Sequence, residues 1–268
     1  MLKDLCTLPS DLYRNRRLVK KMAKNDLKSR FAGSYFGTIW AFIQPIVTIL
    51  VYYFVFGIAM RGGAASGDGT PFVLYLVSGI VPWMYFQEGL ITGTNSFLEY
   101  SYLVKKVVLD ISVLPVVKLL SALVIHLFFV AFAMILFACY GYYPNIYYLE
   151  ILYYMICLFL LILAIVYTTS SVIVFFRDMG QIVSILLQIG VWLTPVMWDL
   201  SFLNGYSWGS TVMRILKLNP FYYIVHGYRN AFIEQRWFWE DKLLTIYFWA
   251  FLIVCYVFSI RIRTLRSV

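Results

Sequence analysis

Long apolar stretches alternate with short polar connections along the chain. Six of the stretches have at least the roughly 17 residues with which a helix crosses a bilayer, and they cover residues 37–60, 72–91, 111–140, 149–176, 181–198 and 243–260. Runs such as residues 158–166 are apolar on every face, which excludes the alternating pattern of a membrane barrel. The pattern therefore predicts an all-α polytopic membrane protein with six transmembrane helices.

The segment before the first stretch has a different pattern. Apolar residues recur at helical spacing between residues 11 and 31, among them Leu18, Val19, Met22, Ala23 and Leu27, while Lys and Arg occupy the other face. Such a segment predicts an amphipathic helix at the membrane interface that docks on lipid or protein. The alternative is a basic tail that only sets topology. The predicted organisation is a cytoplasmic segment 1–36, a transmembrane domain 37–260 and a tail 261–268.

The basic residues also predict the orientation, because Lys and Arg collect in cytoplasmic loops. They crowd the first 36 residues, and the tail carries Arg261, Arg263 and Arg266, whereas the next two loops on the opposite side contain only Arg61. We expect both termini to lie in the cytoplasm. Between residues 199 and 242, on the outer side, a mostly apolar run at 219–233 is too short to cross the membrane, which predicts a re-entrant segment.

Composition supports a membrane protein. The chain is 62% hydrophobic and 13% charged, with a mean hydropathy of +0.79. Its net charge of +9 sits mainly in the flanks of the stretches, where topology and anionic lipid headgroups account for it, so we expect membrane lipids and no nucleic acid as partners. The four cysteines are scattered without metal-ligand spacing.

Two of the predicted spans carry a polar face. Such faces avoid lipid and turn towards protein or water, and glutamines repeated along one face suit a hydroxyl-rich substrate. We predict a shared substrate path along the two faces, formed by Gln44, Thr48 and Tyr52 in the first span and by Gln181, Ser184, Gln188 and Trp192 in the fifth.

Charged residues inside spans are candidates for function or for ion pairs. Lys118 and Glu88 both lie in the inner leaflet and are within reach of pairing; alternatively Lys118 extends to the headgroups and Glu88 marks a helix end. His126, deep in the third span, predicts a helix-to-helix hydrogen bond. Arg229 lies in the predicted re-entrant segment, as a pore-mouth residue or as a residue that extends to the headgroups.

Several functions are made less plausible because the sequence lacks the residue patterns that they need. There is no phosphate-binding loop of the Gly-x-x-x-x-Gly-Lys-Ser/Thr type, and no nucleophile or metal constellation. Carboxylates at mid-membrane depth, which ion-driven carriers use, are also scarce. We expect a non-enzymatic pore subunit that binds no cofactor itself and is powered by a separate protein.

Three segments carry a family resemblance. SYFGTIWAFIQPIVTILVYYFVFG at 34–57, FFRDMGQIVSILLQIGVWLTPVMW at 175–198 and LNPFYYIVHGYRNAF at 218–232, together with GIVPWMYF in the second span, resemble permeases of ABC transporters that export cell-surface polysaccharides. The resemblance implies a homodimer bound to two nucleotide-binding subunits, which bind ATP and Mg. Its substrate would be an undecaprenyl-diphosphate-linked glycan, moved outward across the bacterial cytoplasmic membrane.

The resemblance also implies roles for residues. Arg177 and Asp178 would lie at the inner mouth of the pore, and Lys118 and Arg229 would offer a cationic route. Contacts with the nucleotide-binding subunit would come from the N-terminal helix and the loop after the second span, through Lys20, Lys21, Lys24, Asn95, Glu99 and Lys105.

The segments VYYFVFG and NPFYYIVHGYR are more similar to the teichoic-acid branch, so wall teichoic acid is favoured over O-antigen or capsular polysaccharide. The alternatives are an ABC permease for lipids or drugs and a membrane-embedded polyprenyl-dependent transferase.

Overall fold

A computed structural model describes residues 14–60, 69–100 and 112–265, and every regular element in these ranges is helical. We number the α-helices in chain order: α1 Arg16–Ser29, α2 Trp40–Tyr52, α3 Phe72–Thr94, α4 Ser96–Glu99, α5 Val113–Cys139, α6 Leu149–Val172, α7 Met179–Leu193, α8 Gly209–Lys217, α9 Pro220–Arg229 and α10 Lys242–Leu265. Short 3-10 helices cover Gly37–Ile39, Ile146–Tyr148 and Leu200–Gly205, and π-helical turns cover Tyr53–Ala59 and Asn230–Glu234.

Helix α3 lies at the centre of the bundle and packs against α5, α6, α7 and α9. The first half of α3 is enclosed by other helices, so that Leu74, Leu76 and Val77 are completely buried. The second half carries Gln87 and Glu88, which line a cavity described below.

Within the described residues, four helical segments are long and apolar enough to cross a membrane: Gly37–Ala59, Val113–Cys139, Ile146–Val172 and Lys242–Ser259. They correspond to the first, third, fourth and sixth predicted spans. The second, α3, has 23 residues but a more polar sequence, and the fifth, α7, has 15. The multi-pass architecture is thus confirmed, and a count of six crossings stays a prediction.

The predicted boundaries shift by a few residues at several spans. The fourth was predicted to reach residue 176 but ends at Val172, and the fifth was predicted to reach residue 198 but ends at Leu193. Thr194 is extended because it precedes Pro195, and a proline disfavours helical conformation in the residue before it.

The outer segment between α7 and α10 folds into two short helices. The Asn219 side chain caps α9 by accepting a hydrogen bond from the Phe221 amide, and Pro220 occupies the first turn. Helix α9 is only 10 residues long and is buried against α3, α6 and α10. It falls inside the segment predicted to be re-entrant, whose depth in the membrane stays a prediction.

The predicted amphipathic helix is present as α1, and it packs on the third span. Val19 and Ala23 are buried against Val113 and Val117 of α5. The apolar face of α1 is therefore covered in part by the protein itself. Its basic face, with Lys20, is exposed.

Candidate functional site

A cavity of about 630 Å³ lies between α2, α3, α5 and α7. Its wall combines amide, hydroxyl and aromatic side chains with aliphatic ones. The polar and aromatic lining residues are Phe31, Gln44, Thr48, Tyr52, Trp83, Tyr85, Gln87, Glu88, His126, Phe129, Gln188 and Trp192. No Lys or Arg belongs to the lining in the part of the chain that the structure describes.

The cavity brings together the two polar faces found in the sequence. Gln44, Thr48 and Tyr52 line it from α2, and Gln188 and Trp192 line it from α7. Near one end, the ring of Phe56, in the π-helical turn that follows α2, lies edge to face with the ring of Trp192 of α7. Their centroids are 6.2 Å apart, so this turn meets α7 there.

Two residues of the predicted path do not line the cavity. The Ser184 hydroxyl donates to the Gly180 carbonyl 2.9 Å away, one turn earlier in α7. Gln181 is exposed in the first turn of the same helix. The cavity therefore uses only the C-terminal part of the predicted polar face of α7.

The deep wall of the cavity is held by hydrogen bonds between helices. His126 Nε2 of α5 lies 2.9 Å from the Tyr228 hydroxyl of α9, and the imidazole stacks on the Tyr85 ring. The Tyr85 hydroxyl donates to the Leu119 carbonyl at 3.2 Å. The predicted helix-to-helix role of His126 is confirmed.

Beneath the cavity lies a group of five charged side chains, which we call the ion cluster: Asp26, Arg30, Glu88, Glu99 and Lys118. Lys118 Nζ is 2.5 Å from Asp26 Oδ1 and also contacts Glu99. Arg30 is 2.8 Å from Asp26 Oδ2 and also contacts Glu88. Negative and positive side chains thus alternate along the cluster, in the order Glu88, Arg30, Asp26, Lys118 and Glu99.

Asp26 is the centre of this cluster and is almost fully buried. Burial on its own would raise the pKa of the Asp26 carboxyl, but the hydrogen bond from Lys118 and the charges of Arg30 and Lys118 outweigh it and hold the pKa below its usual value. The Tyr100 hydroxyl also donates to Asp26 Oδ1, at 2.9 Å. Asp26 is therefore ionised at neutral pH.

The ion cluster answers a question that the sequence left open. Lys118 pairs with Asp26 and Glu99, not with Glu88, whose partner is Arg30. Lys118 is buried beneath the cavity and does not line it, and its role at a pore mouth stays a prediction.

Asp26 and Arg30 were missed in the sequence, although a signal was present. Val19, Ala23 and Asp26 fall at i, i+4 and i+7 of α1 and share one buried face. A carboxylate on the apolar face of an amphipathic helix indicates a buried cation opposite it.

Arg229 is also buried, at the end of the bundle where α3 begins. Its guanidinium lies over the Tyr75 ring at 3.7 Å from the centroid and donates to the Val196 carbonyl at 2.9 Å. A Cβ atom on Gly79 would lie 2.5 Å from that carbonyl oxygen, so glycine is required there. Arg229 does not line the cavity, so it joins α9 to α3 and to the turn after α7.

The remaining predicted site residues that the structure describes lie at the end of the bundle where α3 ends. Arg177 and Asp178 are exposed in the turn between α6 and α7, and Lys20, Lys21 and Lys24 are exposed on α1. Asn95 donates to the Ile91 carbonyl at 2.9 Å and faces Gly180 of α7. Lys105 lies outside the described residues. Among the residues described, no group of three or more His, Cys, Asp or Glu could hold a metal ion.

The helical membrane bundle and its polar cavity define a channel-like or carrier-like protein, and comparison with known proteins specifies the class. The family model for ABC-2 type transporters matches residues 17–233. The chain therefore belongs to the ABC-2 type transporter family, which confirms the resemblance found in the sequence.

The individual relatives share less than a third of their residues with this chain in the matched regions. The chain is 29% identical over 231 residues to the O-antigen export system permease protein RfbA of Myxococcus xanthus, a match that covers 85% of both chains. It is 24% identical over 221 residues to the O-antigen export system permease protein RfbA of Klebsiella pneumoniae, which covers 81% of this chain and 80% of that protein.

Proposed function

We propose that this chain is the membrane subunit of an ATP-driven exporter of a lipid-linked cell-surface glycan. The observation that carries the proposal is the cavity, in which Gln44 and Thr48 of α2 face Gln188 and Trp192 of α7. Amides and hydroxyls exchange hydrogen bonds with sugar hydroxyls, and aromatic faces cover the apolar faces of sugar rings. Both similar proteins carry names of O-antigen permeases.

The energy source in this proposal is a separate nucleotide-binding subunit, which binds ATP and Mg. The exposed basic face of α1 and the region around Asn95 and Glu99 are the surfaces we assign to it. The chain would cross the bacterial cytoplasmic membrane six times, with α3 and α7 as the second and fifth crossings and both termini inside.

We further propose a homodimer with two copies of the nucleotide-binding subunit. The two helices that bound the cavity on one side have exposed apolar faces. These faces carry Val47 and Leu50 on α2 and Ile185 and Ile189 on α7. A second copy packed near these faces would close the cavity into a path between two protomers.

The most specific part of the proposal is the identity of the exported polymer. A teichoic acid carries phosphate charges along its chain, and charges in a cavity need opposite charges nearby. Because the described lining lacks Lys and Arg, and Lys118 and Arg229 lie elsewhere, the cavity favours an uncharged glycan of the O-antigen kind. Wall teichoic acid, which the sequence favoured, becomes the second candidate.

The test is transport in proteoliposomes that contain the chain and its nucleotide-binding subunit, with a fluorescent undecaprenyl-diphosphate-linked oligosaccharide as the probe. We expect Gln188→Leu to reduce ATP-dependent transport about 10-fold, which corresponds to the loss of about 1.4 kcal/mol in hydrogen bonding. Gln181→Leu is the matched control, since it changes the same residue type outside the cavity on the same helix.

Equal transport by the two variants would exclude the cavity as the path. Transport of a fluorescent phospholipid but not of the oligosaccharide would favour a lipid permease instead.

A further inference from the structure

We propose that the ion cluster is the element that couples the cavity to the cytoplasmic surface, so that Asp26, Arg30 and Lys118 act as positioning residues for transport. The inference rests on the proposed function, in which α1 and α4 face the nucleotide-binding subunit. The cluster connects these two elements to α3 and α5, which form the wall of the cavity.

One half of the cluster leads from the cavity to α1. Glu88 lines the cavity and pairs with Arg30, which follows the last residue of α1. The same guanidinium donates from Nε and Nη2 to Asp26 Oδ2, at 3.0 and 2.8 Å. Arg30 is therefore shared between the cavity wall and the buried centre, and a change at Glu88 alters how Arg30 holds α1.

The other half leads from α1 to the cytoplasmic segment after α3. Lys118 of α5 donates to Asp26 Oδ1 at 2.5 Å and to Glu99 at the end of α4. The ring of Tyr100, the next residue, lies 5.0 Å from the Lys118 ammonium. The position of α4 is therefore tied to the same carboxylate that Arg30 holds.

Exposure divides the cluster into a fixed centre and two adjustable ends. The side chains of Asp26 and Lys118 are 2% and 4% exposed, whereas those of Glu88 and Glu99 are 43% and 50% exposed. A buried ion without its partner is costly, so the central pair stays formed. The outer carboxylates are hydrated and can exchange partners at a much smaller cost.

These properties suit a two-way coupling. A sugar hydroxyl that donates to Glu88 competes with Arg30 for the carboxylate and weakens one end of the cluster. A nucleotide-binding subunit that moves α1 or α4 acts on the other end, through Asp26 or Glu99. Coupling between two sites is reciprocal, and typical coupling energies change binding 5- to 150-fold.

The decisive variant replaces the central pair by apolar residues of similar size, Asp26→Leu together with Lys118→Met. Replacement of a whole buried pair in this way often leaves stability unchanged, unlike removal of one partner. We expect the variant to assemble with its nucleotide-binding subunit and to keep basal ATP hydrolysis. Stimulation of ATP hydrolysis by the undecaprenyl-diphosphate-linked oligosaccharide should fall about 10-fold.

A matched control removes a charge pair far from the cluster. Glu234→Leu with Arg236→Met deletes an exposed pair 3.6 Å apart at the outer side, and stimulation should remain at the wild-type level. Wild-type stimulation in the Asp26→Leu, Lys118→Met variant would overturn the proposal, because the cluster would then be structural only.

A second variant decides the case if the double variant does not assemble. Arg30→Gln breaks only the link between Glu88 and Asp26 and leaves the Asp26–Lys118 pair to hold α1. Arg30→Lys keeps the charge and should restore part of the stimulation. Full stimulation in Arg30→Gln would overturn the inference.

A failure of the proposed function has a different signature. In that case the wild-type complex would not respond to the oligosaccharide. In that case coupling is measured by the rate of amide hydrogen exchange in the α3 segment around Glu88, compared with and without ATP bound to the nucleotide-binding subunit. A change in wild type that Arg30→Gln abolishes supports the coupling role, and a change that Arg30→Gln leaves intact contradicts it.

Discussion

The two ends of the bundle hold their buried cations in different ways. At the end beside α1, which we call the α1 end, Lys118 and Arg30 each lie between two carboxylates that come from different elements. At the opposite end, which we call the α9 end, the Arg229 guanidinium is held by an aromatic face and by the Val196 carbonyl oxygen, and its Nε has no hydrogen-bond partner in the described part of the chain.

The difference indicates which end can change. A carboxylate side chain rotates and exchanges partners, so the ion cluster has half-exposed ends that can rearrange. A carbonyl oxygen is fixed by the backbone, and the close approach of Val196 to Gly79 leaves little room for movement. The α9 end is therefore a rigid joint, whereas the α1 end is suited to transmit motion.

The largest effect is expected from a substitution that disturbs the rigid end. Gly79→Ala would place a Cβ atom 2.5 Å from the Val196 carbonyl oxygen and beside the Arg229 guanidinium, and neither the backbone nor the buried cation can easily move away. We expect a loss of about 3 kcal/mol in the free energy of unfolding, measured as a lower Tm of the purified protein in detergent. Gly205→Ala is the control, since no atom lies within 4 Å of its added Cβ.

A smaller effect is expected at the ion cluster from removal of one charge. Lys118→Met leaves Asp26 buried with Arg30 as its remaining cation, so the loss should be about 2 kcal/mol, below the cost of a fully unpaired buried charge. Thermal unfolding measures it, with Lys217→Met at an exposed position of α8 as the control. A loss equal to that of Gly79→Ala would contradict the difference between the two ends.

The smallest effect concerns a pair at the outer side, His226 Nε2 and Asp241 Oδ2, 3.0 Å apart. The hydrogen bond with His226 lowers the pKa of Asp241, although burial acts in the opposite direction. A lowered pKa stabilises the fold above the ordinary pKa of the carboxyl, and this stabilisation is lost as the pH falls through the lowered value.

Asp241→Asn should therefore reduce the free energy of unfolding at pH 7 by about 0.5–1 kcal/mol, a small loss because the pair is partly exposed. This loss is measured as a lower Tm. The difference from wild type should shrink below about pH 4. A Tm difference that is independent of pH would contradict this assignment.

The sequence predicted the helices well because their signal is local. Long apolar runs predicted helices that the structure contains, although how many of them cross the membrane stays a prediction. The boundary errors arose at prolines and turns such as Thr194, where the helix ends although the sequence is still apolar. The polar faces of α2 and α7 were also predicted, since they depend on spacing within one helix.

The partners of buried groups were not predictable in the same way. Glu88 and Lys118 lie at similar depth in neighbouring spans, yet Arg30 and Asp26 of α1 come between them. From the sequence, Arg229 is a candidate for the pore mouth, and nothing in the sequence predicts that its guanidinium packs on the Tyr75 ring. Each of these contacts joins residues that are far apart in the chain.

The sequence by itself determined that the chain forms membrane helices, which faces of those helices are polar, and which family it belongs to. These properties follow from periodicity, charge distribution and motif order within single segments. Only the tertiary structure decided that two polar faces enclose one cavity and that a chain of ion pairs lies beneath it. The reason is physical: hydrophobicity specifies burial without direction, whereas an ion pair or a cavity depends on which side chains meet once the helices are packed.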